Sequence, residues 1–267
     1  MLISDLLKGA RADKKLLEAE VLLGFVLEKS REWAIAHDEE EVSSEDLKKF
    51  HGFWVRLQKG EPLAYLTNDK EFFGLKFYVD KRVLVPRPET EALVELVNDL
   101  DCQKVVDVGT GCGNIACSLA LNSDLEVCAT EVSQEACQVA RKNIEDLGAK
   151  VELFCGNLLE PVKDRDFDII VANLPYIGRE RHNLVADNVA EHEPDVALYG
   201  GDDGLRLYEE MFEQINEFGM KPRYILGEFG FLQGEEVLDL MKKYFPGAEF
   251  EIKQDLSGLD RNFVVRL

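Results

Sequence analysis

Apolar side chains in the first sixty residues recur every three or four positions. Leu16, Leu17, Leu23 and Leu27 mark one such stripe, and Leu47, Phe50, Trp54 and Leu57 mark a second across residues 44–58. That spacing lines one face of a helix. Ser43, with Asp46 three positions later, supplies a start signal for the second helix. Gly60-Glu61-Pro62 closes the helical block. Residues 72–79 and 83–85 then read as a β-hairpin turning at Asp80-Lys81-Arg82. Pro88 suits the first turn of a helix that runs to about residue 98.

From residue 104 the pattern alternates. Strands are expected at 104–108, 126–130, 151–154, 167–172 and 224–228. Helices are expected at 114 to about 121, at 134 to about 147, and near 205–217 and 234–244. Such alternation predicts an α/β fold with a doubly wound, mainly parallel sheet. Two closing strands, 249–252 and 263–266, have no helix between them and predict an antiparallel edge, making seven strands in all. The expected organisation is a helical domain at residues 1–66, a β-hairpin linker at 67–87 and the sheet domain at 88–267.

Composition narrows the class of protein. Hydrophobic residues make up 46% of the 267, enough for a packed core. No run approaches the roughly 18 apolar residues of a membrane span. The opening Met1-Leu2-Ile3-Ser4-Asp5 has no basic stretch ahead of an apolar one, so a cytoplasmic protein is expected. Six cysteines (Cys102, Cys112, Cys117, Cys128, Cys137 and Cys155) fall at irregular spacings and read as reduced thiols. His37, His51, His182 and His192 form no ligand-spaced pair, so no metal site is expected. The net charge of −21 weighs against a nucleic-acid substrate, because binding to phosphates draws on neutralising them. A well-solvated acidic surface accounts for the same value.

Two short segments carry chemistry. Asn173-Leu174-Pro175-Tyr176 follows the apolar run 167–172. Asn173 offers a side-chain carbonyl and Leu174 a backbone carbonyl. Pro175 biases Leu174 towards extended geometry, and Tyr176 offers a flat ring to stack on. These parts make a clamp for a planar amide or amino group. Upstream, Gly109-Thr110-Gly111-Cys112-Gly113 follows a strand containing Asp107, and its glycines permit a tight turn and close ligand approach. Glu131 closes the next strand, where a carboxylate can accept both ribose hydroxyls of an adenosine. Asn157 and Leu158 close the third, suited to an adenine edge and face, although Asn is also common in ordinary turns. Clamp and loop together point to methyl transfer from S-adenosylmethionine to a planar NH2.

Further segments extend the picture. Gly60-Glu61-Pro62-Leu63-Ala64-Tyr65-Leu66-Thr67, Glu71-Phe72-Phe73-Gly74-Leu75 and Val83-Leu84-Val85-Pro86-Arg87-Pro88-Glu89-Thr90-Glu91 resemble conserved stretches of the PrmC/HemK family, the release-factor glutamine methyltransferases. The stretches 193–205 and 255–261 fit as well. The resemblance covers nearly the whole chain. It implies a class I S-adenosylmethionine-dependent, Rossmann-like methyltransferase domain with an N-terminal substrate-docking domain. It also implies methylation of the side-chain amide nitrogen of the glutamine in the Gly-Gly-Gln loop of peptide-chain release factors. The expected partners are those factors, with no membrane, no direct nucleic-acid contact and a monomeric enzyme. Gly109, Thr110, Gly111, Cys112, Gly113, Glu131, Asn157, Leu158 and Asn173 are the expected cofactor residues. Asn173, Leu174, Pro175 and Tyr176 are the expected catalytic and substrate-binding residues, joined by Arg87, Pro88 and Glu89 for substrate.

Leu174 stands where the family usually has Pro, Asn68 where Gly is common and Cys112 where Ser is common. Asn-Leu-Pro-Tyr is also typical of ribosomal-RNA adenine dimethyltransferases. One alternative is therefore an adenine amino-group methyltransferase acting on flipped bases of RNA or DNA. The other is a non-catalytic module that only binds S-adenosylmethionine.

Overall fold

A computed structural model describes residues 1–179 and 187–267. His182 lies outside the described residues. The chain divides into two compact units, Met1–Asn68 and Asp69–Leu267. Among the described residues no helix is long and apolar enough to cross a membrane.

The first unit holds helices α1 (Ile3–Ala12), α2 (Leu16–Leu27), α3 (Arg31–Ala36), α4 (Ser44–Gln58) and α5 (Leu63–Thr67). α2 is apolar on most sides and packs against α1, α3, α4 and α5, burying Ala19, Leu22 and Leu23 completely. Its one buried acid, Glu20, is held by Arg31 at 2.8 Å. At the start of α4 the Ser43 hydroxyl accepts the Asp46 N–H at 3.1 Å, the cap that the sequence signals.

The second unit opens on a hairpin, but a different one from that expected. β1 (Lys70–Phe72) pairs with β2 (Leu75–Phe77) across a two-residue turn, Phe73-Gly74, whose φ values are +51° and +71°. Two positive φ angles match the twist of tight hairpins. Residues 83–85 form no strand: the Val83 N–H turns back to the Asp80 carbonyl at 3.1 Å, and side chains hold the backbone on either side of that turn. The Asn143 amide bonds Tyr78 N–H at 2.8 Å and Tyr78 C=O at 2.9 Å, and the Glu193 carboxylate accepts the Val85 N–H at 3.1 Å.

After a 3₁₀ turn at Pro88–Thr90 come α6 (Glu91–Asn98), β3 (Lys104–Val108), α7 (Asn114–Asn122), β4 (Glu126–Glu131), α8 (Gln134–Leu147), β5 (Val151–Cys155) and β6 (Ile169–Ala172). α9 (Asp187–His192) and α10 (Asp195–Leu198) follow in a stretch that the sequence reads as irregular. α11 (Arg206–Glu217), β7 (Tyr224–Glu228), α12 (Gly234–Tyr244), β8 (Glu249–Gln254) and β9 (Asp260–Arg266) complete the unit. The seven strands lie in the order β5-β4-β3-β6-β7-β9-β8, with β9 antiparallel to both neighbours. One face of the sheet packs Val106, Ile170, Ile225 and Phe263 against Tyr208, Phe212 and Met241 of α11 and α12. α6 and α7 pack against strands β3 to β7.

The chain winds outward from β3 to β5, then returns to place β6 on the other side of β3. Open α/β sheets bind ligands outside the carboxyl ends of the strands at such a reversal. Register brings the two sequence signals together there, since Val108 pairs with Ala172 and the next residues are Gly109 and Asn173.

One expectation about cysteine is corrected. Cys137, on the first turn of α8, and Cys155, at the end of β5, form a disulfide with their Cα atoms 6.4 Å apart. α8 packs back along β5, so residues 18 positions apart meet within bridging range. Cys102, Cys112, Cys117 and Cys128 are free thiols.

Candidate active site

β3 and β4 end side by side, and the loop after β3 is tied to β4 at once. Gly109 and Thr110 both donate their N–H groups to the Thr130 carbonyl at 2.9 Å. Gly109 has φ +74°, and a Cβ there would come within 2.9 Å of the Leu174 side chain. The glycine loop and the clamp therefore touch. Gly111 has φ +59°, and a Cβ there would meet nothing within 4 Å, which leaves its backbone bare towards a cavity of about 440 Å³. That volume is in the range of pockets that enclose small organic ligands.

Two acids pin the loop. The Glu131 carboxylate accepts Gly111 N–H at 2.9 Å and Ser133 N–H at 2.8 Å, one on each oxygen. Each oxygen keeps lone-pair capacity for a hydroxyl. Burial raises the Glu131 carboxyl above the usual range, opposed by those backbone N–H groups. Asp107, fully buried in β3, accepts the Thr110 hydroxyl at 2.6 Å and Ala116 N–H at 3.2 Å, both on Oδ2. Burial pushes its carboxyl up to about 7. The Cys112 thiol is raised to about 12 by burial, so it is a packing group rather than a nucleophile.

Asn157 donates its Nδ2 to Glu210 on α11 at 2.6 Å, which leaves its carbonyl oxygen as the free end. Leu158 is 7% exposed and adopts φ +44°. A bare glycine backbone, an acid with spare acceptor capacity and an amide carbonyl suit a ligand bearing a ribose and an adenine.

The clamp is built on a buried network. Asn173 donates Nδ2 to the Thr90 hydroxyl at 3.0 Å, and Thr90 donates to Glu228 Oε2 at 2.7 Å. The Tyr176 hydroxyl donates to the other oxygen of Glu228 at 3.1 Å. Glu228 ends β7 and is 1% exposed, and burial raises its carboxyl, opposed by Thr90, Arg261 and Tyr176. The Tyr208 hydroxyl lies 2.5 Å from the Glu228 carbonyl and accepts Leu174 N–H at 3.4 Å. Gln233 holds the Tyr176 carbonyl at 3.0 Å. Among the described residues no donor reaches Asn173 Oδ1 or the Leu174 carbonyl.

Most of the residues singled out in the sequence meet on this cavity wall. Arg87, Gly109, Thr110, Gly111, Cys112 and Glu131 line it, as do Asn157, Leu158, Asn173, Leu174 and Pro175. Four do not. Gly113 caps α7 and packs on Cys117 and Ala140, Pro88 and Glu89 are exposed, and Tyr176 turns its hydroxyl to Glu228. Arg87 is ion-paired with the buried Glu193 at 2.5 Å. Sequence reasoning missed Thr90, Glu193, Tyr208 and Glu228. Glu228 ends an apolar strand just as Glu131 does, and that shared pattern was its available signal.

Comparison with known proteins follows the same division. Residues 2–67 match the PrmC N-terminal domain, and residues 88–201 match the Methyltransferase small domain. The release factor glutamine methyltransferase of Bacillus subtilis is 38% identical over 254 residues, covering 91% of this chain and 88% of the relative. That of Bacillus anthracis is 36% identical over 252 residues, with 91% and 89% covered. That of Koribacter versatilis is 34% identical over 266 residues, with 97% and 94% covered. Among solved structures, a methyltransferase from Pyrococcus furiosus superposes with a TM-score of 0.57 at 19% identity, covering 80% of this chain and 98% of that one. The hMettl16 catalytic domain, solved in complex with a 3′UTR hairpin, gives a TM-score of 0.57 at 14% identity, with 73% and 76% covered. These two likenesses are of fold alone.

Proposed function

The chain belongs to the release factor glutamine methyltransferase family, and from that premise we propose that it methylates the side-chain amide nitrogen of the Gly-Gly-Gln glutamine of a peptide-chain release factor, with S-adenosylmethionine as donor. The donor supplies an activated methyl group on a sulfonium sulfur. Glu131 would hold the ribose hydroxyls, Asn157 and Leu158 would hold the adenine, and the backbone from Gly109 to Cys112 would lie along the rest.

An amide nitrogen is a poor nucleophile, because its lone pair is conjugated with the carbonyl. Alignment is therefore the main task. Asn173 Oδ1 and the Leu174 carbonyl accept the two N–H bonds of the glutamine amide and aim its nitrogen at the methyl. They also stabilise the positive charge that grows on nitrogen as the nitrogen–carbon bond forms and the carbon–sulfur bond of the sulfonium breaks, a charge that ends when the nitrogen loses one of its two protons. One observation carries this reading: two carbonyl acceptors to which no described residue donates stand on the cavity wall beside the glycine loop.

The Met1–Asn68 unit is assigned the docking of the factor, because an exposed tripeptide offers little area for specific binding. The reading takes the enzyme to be a cytoplasmic monomer. The test incubates the protein with S-adenosylmethionine and a release factor, then weighs the tryptic peptide that contains Gly-Gly-Gln. The expected result is a gain of one CH2 on that glutamine and none in a Gln→Ala factor. Labelling of ribosomal RNA or DNA with the factor untouched would overturn the reading in favour of adenine. Absence of turnover on every substrate would leave a binding module.

A further inference from the structure

We propose that Glu228 and Thr90 are positioning residues that decide which end of the Asn173 amide faces the substrate. This inference rests on the reaction proposed above. The two ends of an asparagine amide are almost the same shape but opposite in hydrogen-bonding sense. Only the oxygen end can accept an N–H of the substrate. The nitrogen end would present two donors to an NH2 group and repel it. A clamp of the right composition can thus still have the wrong polarity.

The network removes that ambiguity one proton at a time. An ionised carboxylate only accepts. Two hydroxyls donate to Glu228, Thr90 to Oε2 at 2.7 Å and Tyr176 to Oε1 at 3.1 Å, so both oxygens act as acceptors and the Thr90 proton is committed to Oε2. Thr90 has no other proton to give, so it meets Asn173 with a lone pair. At 3.0 Å that lone pair selects the nitrogen end of the amide. Asn173 Oδ1 is left pointing away from Thr90, where no described residue donates to it. Glu228 Oε1 accepts the Tyr176 hydroxyl at 3.1 Å, so one carboxylate orders both ends of the Asn173–Tyr176 segment.

Placement supports the role. Glu228 directly follows Gly227, which pairs with Ala172, so it stands beside Asn173 on a neighbouring strand end. It is 1% exposed, and taking a carboxylate out of water is costly without compensating bonds. Thr90 closes the 3₁₀ turn and is itself 2% exposed. Arg261 also acts on Glu228 through its charge, but pairs with Asp255 at 3.4 Å.

The test compares full-length wild type with Thr90→Val, Thr90→Ser and Glu228→Gln. Valine keeps the shape of threonine and removes the relay, whereas serine keeps the relay. A gln side chain can donate to Thr90 and so frees the Thr90 proton to turn towards Asn173. Thr90→Val and Glu228→Gln should lower kcat on the order of 10²-fold, the cost of a misaligned reactant. KM for the factor and the calorimetric affinity for S-adenosylmethionine should change little, and Thr90→Ser should keep near wild-type kcat. In an Asn173→Ala background Thr90→Val should cost nothing further. An equal loss in both backgrounds would show that Thr90 acts independently of Asn173 and would overturn the proposal.

A substrate-free measurement separates this inference from the reaction it rests on. In protein labelled with ¹⁵N-asparagine, the Asn173 side-chain NH2 signal is assigned by its loss in Asn173→Ala. It should show one hydrogen-bonded proton in wild type and Thr90→Ser, and lose that bond in Thr90→Val. An unchanged signal in Thr90→Val overturns the network, whatever the enzyme methylates.

Discussion

Asp107 offers a test of the glycine loop that needs no substrate. Its Oδ2 carries both hydrogen bonds, to Thr110 and Ala116, while its buried Oδ1 has no partner among the described residues. Burial raises the carboxyl from 3.8 to about 7 in the folded protein, with the nearby Glu131 charge adding to the effect. The folded state thus binds this proton more tightly than the unfolded state does. The stability it contributes is fully present below about pH 4 and is lost as pH rises through about 7. At about 1.4 kcal/mol for each tenfold change in proton affinity, the full loss is roughly 4 kcal/mol, of which about 2–3 kcal/mol falls between pH 5 and pH 8. Asp107→Asn has nearly the same shape and no charge, and its Oδ1 can accept both bonds now made to Oδ2. Thermal unfolding of both proteins across that range should show the variant gaining on wild type as pH rises. For a chain of this length the relative gain is roughly 5–10 °C. The variant's Nδ2 has no partner, a cost that does not vary with pH and so drops out of the comparison. A melting-temperature difference that stays flat from pH 5 to pH 8 would refute the assignment of a raised, buried acid at this position.

Two further substitutions probe residues that line the cavity. Glu131→Ala should weaken S-adenosylmethionine binding on the order of 10²–10⁴-fold, from two charge-assisted hydrogen bonds of roughly 1.5–3 kcal/mol each; unchanged affinity by calorimetry would mean that the adenosine lies elsewhere. Leu174→Pro removes only a long N–H bond to Tyr208 at 3.4 Å and part of a side chain that is 2% exposed, so the protein should stay folded and active while losing about 1–3 kcal/mol in urea unfolding. A folded but inactive Leu174→Pro protein would show that the leucine itself is used in the reaction.

The sheet domain was legible where one pattern ran between clear boundaries. β3, β7, α8 and α12 occupy the residues that periodicity assigns them, because charged or glycine positions bound each run. Gly148, for example, ends α8 with φ +65°. The hairpin was misread because its turn, Phe73-Gly74, is hidden inside a continuous apolar stretch. Asp80-Lys81-Arg82 is the more polar cluster, but there the Asp80 carboxylate folds onto the Arg82 guanidinium at 2.6 Å and no strand follows. The disulfide was missed for a different reason. Cys137 and Cys155 belong to a helix and a strand whose packing no local spacing reveals.

The site divides along the same line. The glycine loop and the clamp are each contiguous, so the sequence displays the groups that could touch a ligand. What orients those groups is scattered: Thr90 lies 83 positions from Asn173 and 138 from Glu228, and Glu193 lies 106 from Arg87. Thr90 reaches Asn173 and Glu228 because α6, which it directly precedes, packs on β6 and β7, whose ends carry those two residues. The distinction bears on how the tetrapeptide is interpreted. Asn-Leu-Pro-Tyr specifies which acceptors are available, but the direction of the Asn173 amide is set by the Thr90 hydroxyl, whose proton is committed to a carboxylate on the neighbouring strand. A chain with the same tetrapeptide and no hydroxyl–carboxylate pair behind it would have the clamp's composition without its polarity.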